Sequence, residues 1–130
     1  MSTTLIIANL LTILAFIAHT FVGDKALRLL ESQQDDGDDT LQEKWTMSRG
    51  GWHMVSVDLL LATIGLALLN FTDLLQPREV YLQLLFIYFF AYGVAWFLVI
   101  LISKSFKKNY LRLGQWMLLL VIAALVYASM

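Results

Sequence analysis

The 130-residue chain has no cysteine and a single proline, Pro77. Without a thiol there is no disulfide, no thiolate metal site and no lipid attached through sulfur. Charge is scarce as well. Acidic and basic side chains make up 15% of the sequence, where a soluble domain carries about a quarter, so the composition argues against a soluble globular fold. The low charge and 13% aromatic content are equally the reverse of the disordered signature. Several chemical motifs are missing too. The sequence has no glycine-rich phosphate loop, no G-x-S-x-G nucleophile turn and no H-E-x-x-H helix. It also has no basic stretch interleaved with aromatics, which removes nucleic acid from the expected partners. These absences lean away from an enzyme.

What fills the chain instead is apolar: 59% of residues, with a mean hydropathy of +0.71. The charges are gathered into three connections, residues 24–49, 73–79 and 104–112, and only Asp58 lies outside them. The stretches between are each long enough to cross a hydrocarbon core as a helix of about 20 residues. Runs such as Leu59-Leu60-Leu61 do not alternate as barrel strands would. The pattern predicts an all-α polytopic membrane protein, a four-transmembrane-helix antiparallel bundle with spans at approximately 4–23, 51–72, 79–103 and 113–130.

Lysine and arginine set orientation. Lys25, Arg28, Lys44 and Arg49 lie in the first connection and Lys104, Lys107, Lys108 and Arg112 in the third, against Arg78 alone in the second. This bias predicts that 24–49 and 104–112 are cytoplasmic and both termini outside. Trp52, Tyr110 and Trp116 are expected at the inner interface, Tyr81 and Tyr127 at the outer one. The first span lacks a basic leader and a small-x-small cleavage site, so it is expected to be retained rather than removed as a signal peptide.

Local signals subdivide the first connection. Residues 24–33 are expected to prolong the first helix, and the acidic run around Gly37 to break it. Aligned on an EF-hand loop with Gly37 at the sixth position, Ser32 and Gln34 fall where the first acidic ligands belong, so that template fails. The acidic turn is read as solvated, or as a docking surface for a basic partner. Thr40 and Glu43 form a capping box that starts a short helix through Trp45. Gly50-Gly51 is expected to bend the entry to the second span or to let another backbone approach. Pro77 suits the first position of the third helix.

Polar residues inside the spans are the candidates for function. Asn9, Thr12, His19 and Thr20 share one face of the first span, and His53, Ser56, Thr63 and Asn70 one face of the second. Facing these stripes in an antiparallel hairpin brings the two histidines close together. Neutral imidazoles on opposed helices permit haem or metal ligation, and equally serve as interhelical hydrogen-bonders. Asp58 is rotated about 140° from His53 and lies about 7.5 Å deeper. Tyr92 and Trp96 of the third span are its expected partners. A buried acid there is either a proton or cation site, or a hydrogen bond that fixes helix register.

The expectation for function is a small integral membrane accessory or binding component, in contact with the lipid bilayer and with a larger membrane complex or its own copies as a homo-oligomer. Two alternatives stand beside it. One is a bis-histidine intramembrane haem or metal redox protein on His19 and His53; the other is a proton-linked channel or transporter centred on Asp58.

Overall fold

The structure is a computed structural model that describes residues 2–31, 39–103, 110 and 113–130. Among the described residues every regular element is helical. Helix α1 (Thr3–Ile17) continues through a π-helical segment (Ala18–Gly23) into α2 (Asp24–Glu31), followed by α3 (Asp39–Phe71), α4 (Arg78–Ile102) and α5 (Gln115–Tyr127). The acidic run 32–38 and the basic residues Lys104, Lys107, Lys108 and Arg112 lie outside the described residues.

Three helices are long and apolar enough to cross a membrane: Thr3–Leu29, Asp39–Phe71 and Arg78–Ile102. Leucine-rich, proline-free runs favour this outcome, because a helix closes its own backbone hydrogen bonds and needs no water to do so. The fourth expected span forms a helix of 13 residues, about 20 Å at about 1.5 Å per residue, short of a core of about 30 Å.

Two local expectations are revised. Residues 39–71 form one helix of 33 residues, a rod of about 50 Å, that runs through Gly50 and Gly51 without a break. A Cβ added at either glycine would meet nothing within 4 Å, so no described residue packs closely against the pair. The helix persists because glycine weakens a turn without removing its hydrogen bond, as proline would. Pro77, at φ −73° and ψ 132°, is the residue before α4 rather than its first turn, since the extended ψ keeps it outside the helix. The Gln76–Pro77 peptide is cis.

The chain divides into two compact units, residues 1–11 with 65–130, and residues 12–64. In the first, α5 runs antiparallel along α4. Gly93 lies against Leu120, Phe97 packs on Trp116 with ring centroids 4.8 Å apart, and Phe86 on Tyr127 at 5.4 Å. Leu82, Phe89, Ile100, Ile122, Ala123 and Val126 are buried there. The Ser2 amide donates to Asn70 Oδ1 at 2.8 Å and ties the start of the chain to the end of α3.

The second unit is buried differently. Its enclosed positions are Thr12, Asp24 and Ser56 alongside Leu59 and Ala62, so polar contacts carry much of its cohesion. Here the helices run antiparallel, His19 meeting Trp52, Asp24 meeting Arg49, and Leu27 meeting Trp45. Each step along one helix is a step back along the other.

Candidate functional site

The uncharged stretch that begins at Ser2 ends at Asp24, the first residue of α2, whose side chain is only 9% exposed. A carboxylate so enclosed needs donors, and four converge on it. Arg49 Nε donates to Oδ1 at 2.8 Å and Arg49 Nη2 to Oδ2 at 3.3 Å, a two-pronged grip. Arg28 Nε reaches Oδ2 at 2.8 Å from one turn further along α2. His53 Nε2 donates to Oδ1 at 3.1 Å. Arg49 and His53 share a face of α3 because they are four residues apart. The hydrogen bond from Arg49 holds the Asp24 carboxyl at about 2, with burial opposing and Arg28 adding to the effect. It is therefore ionised at neutral pH, and the imidazole hydrogen of His53 sits on Nε2.

Arg49 is steadied on its other side by Trp45, with the guanidinium carbon 5.3 Å from the ring centroid. The Trp45 indole N–H in turn donates to the Leu27 carbonyl at 3.2 Å.

One turn toward the apolar side, His19 and Trp52 form a reciprocal pair. His19 Nε2 donates to the Trp52 carbonyl at 3.0 Å, and Trp52 Nε1 donates to the His19 carbonyl at 2.9 Å. Their rings stack with centroids 3.9 Å apart and planes within 8°. This happens on the π-helical segment, whose wider turn presents its carbonyls differently from an α-helix. Gly23 closes the arrangement, since a Cβ there would fall on the Trp52 indole.

The residues singled out in sequence are distributed over both units. His19, His53, Thr12, Ser56 and Asp58 belong to residues 12–64, and Asn9, Tyr92 and Trp96 to the other unit. Both histidines use Nε2 on separate protein acceptors, so a haem or metal held through those two atoms would require both hydrogen bonds to break. No three His, Cys, Asp or Glu side chains among the described residues gather to hold a metal ion. Ser56 is buried and donates to the Trp52 carbonyl at 3.4 Å. Thr12 is fully buried and Asp58 half-buried, and each makes an interaction. Asn9 is buried with its Oδ1 unpartnered among the described residues. Tyr92 packs on Tyr88 at 4.6 Å, and Trp96 Nε1 donates to Gln115 Oε1 at 3.4 Å.

Asp24, Arg28, Arg49 and Trp45 were not among the sequence candidates. The signal for them was the hairpin register itself: an antiparallel pairing that aligns His19 with Trp52 brings Asp24, five residues outward on one helix, within a turn of Arg49, three residues outward on the other. Chemically, the cluster holds two helices together. Its carboxylate is ionised and saturated with donors, which suits it to fixing a geometry rather than to taking up a proton. No protein-family profile, curated protein or solved structure matches the chain.

Proposed function

We propose that the chain is a small integral membrane protein that acts as an accessory or binding component, packing against a larger membrane complex or against its own copies. The observation that carries this reading is the closed state of the most polar cluster. Asp24 meets two arginines and a histidine, so its carboxylate is committed to holding the helices together. The apolar faces offer what the polar cluster does not. Leu10 and Leu14 on α1, Leu61 and Ile64 on α3, and Leu84 and Ile87 on α4 are all exposed, and in a bilayer such side chains meet lipid or neighbouring helices.

In this reading residues 113–130, α5 with the residues that flank it, make a fourth crossing beside α4, both termini face outward, and residues 24–49 are cytoplasmic. The clasp then stiffens a helical pair that projects beyond the bilayer, since α3 is about 20 Å longer than the hydrocarbon core. Purification from the native membrane in a mild detergent tests the proposal. A partner protein in fixed ratio, or a discrete oligomer, is the expected result. A strict monomer with no co-purifying protein contradicts it.

A further inference from the structure

The Asp24 cluster carries more positive than negative charge, and its surplus faces outward. Asp24 takes its two-pronged contact from Arg49, which is largely covered, while Arg28 engages it through Nε alone and keeps its side chain 64% exposed. A guanidinium has five N–H donors. Arg28 gives Asp24 its Nε–H. Lys25, three residues earlier on the same helix and exposed, is its neighbour on the α2 surface.

Depth places this group. The uncharged stretch 2–23 ends at Asp24, and the apolar part of α3 begins at Gly50, just past Arg49. Both helices thus leave the apolar zone at the level of the clasp, where a bilayer presents its phosphates. The indoles of Trp52 and Trp45 lie on either side of that level, about 10 Å apart along α3, each donating to a backbone carbonyl, as suits side chains at a membrane interface.

We propose that Arg28 and Lys25 form a binding site for the phosphate of an anionic lipid headgroup, against the outer rim of the Asp24 clasp. The site is independent of any protein partner. Asp24 orients the Arg28 fork and lowers its freedom, so the two Nη groups meet a phosphate already aligned. Arg28 is also separable from the fold, because Arg49 and His53 hold Asp24 without it.

Native mass spectrometry of the full chain in detergent, with dioleoyl phosphatidylglycerol and dioleoyl phosphatidylcholine in equal amounts, reads the preference directly. The wild type is expected to retain phosphatidylglycerol over phosphatidylcholine. R28Q is expected to lower that preference about fivefold, K25Q to lower it by a similar factor, and R28K to restore much of it. Inorganic phosphate at equal concentration is expected not to displace the lipid. Tryptophan emission unchanged in R28Q shows that the clasp is intact. No preference in the wild type, or an undiminished one in the R28Q/K25Q double variant, overturns the proposal. So does displacement by inorganic phosphate, which would make this a free-anion site. Loss of preference only when Lys104, Lys107 and Lys108 are replaced overturns it too.

Discussion

Gly23 is required by a neighbour rather than by its backbone. A methyl group there collides with the indole of Trp52, a rigid ring that is itself stacked on His19 and bonded to its carbonyl. Gly23→Ala is therefore expected to destabilise the protein by about 1 to 3 kcal/mol, the usual range for overpacking. Gly50→Ala has the opposite sign, because nothing lies within 4 Å of the added carbon and alanine gains about 1 kcal/mol of helix propensity. Thermal unfolding in one detergent compares the two; equal shifts in the same direction would refute the contrast. Trp52→Phe keeps a stacked ring and removes its N–H donor, so it should cost about 0.5 to 1.5 kcal/mol by the same assay. His19 was legible in sequence because a polar ring in an apolar stretch stands out. Trp52 and Gly23 were harder to see. A tryptophan near a span end reads as an interfacial anchor and a glycine as a gap, and only their meeting on the π-helical turn shows that each needs the other.

At the scale of elements, the clasp is a pH-dependent lock on the α2 and α3 pair. The Asp24 carboxyl is lowered from 3.8 to about 2 in the folded chain. Its stabilisation is thus fully present above pH 3.8 and is lost as pH falls toward about 2. Emission from Trp45 and Trp52, with Trp96 and Trp116 replaced by phenylalanine, should shift across that interval as the helices part. Asp24→Asn should remove the transition. Arg49→Gln should move its midpoint upward more than Arg28→Gln does, since Arg49 supplies the larger effect and Arg28 is an exposed pair of small weight. Identical midpoints in the two arginine variants would show that the assignment of roles is wrong. The helices themselves were largely legible, because charge-poor runs of about 20 residues leave few alternatives. The continuity of α3 was not. Gly50-Gly51 looks like a hinge from local propensity, but a glycine costs only about 1 kcal/mol per position and the backbone bonds on either side survive. The pairing of Asp24 with Arg49 was hidden for a related reason: charges in a connection are read for orientation and their partners across a hairpin are not visible in composition.

The described residues form long apolar helices that keep many aliphatic side chains exposed. The proposed four crossings would place the two termini on one side of the membrane. The cysteine-free sequence makes this simple to measure. Single cysteines at Ser2 and Ser129 should react with an impermeant maleimide from the same side, and one at Ser48 from the other; opposite labelling of the termini would mean an odd number of crossings. Function was the least legible layer. Aliphatic surface is the same chemistry whether it faces lipid or protein, so no residue announces its partner. The most direct test places photoreactive side chains at Leu14 and Ile87, two exposed apolar positions on different helices, and irradiates native membranes. A binding or accessory protein yields an adduct with a second polypeptide, another protein or another copy of this chain, at one or both positions. Adducts with lipid alone at both positions, together with a monomeric mass, would contradict it.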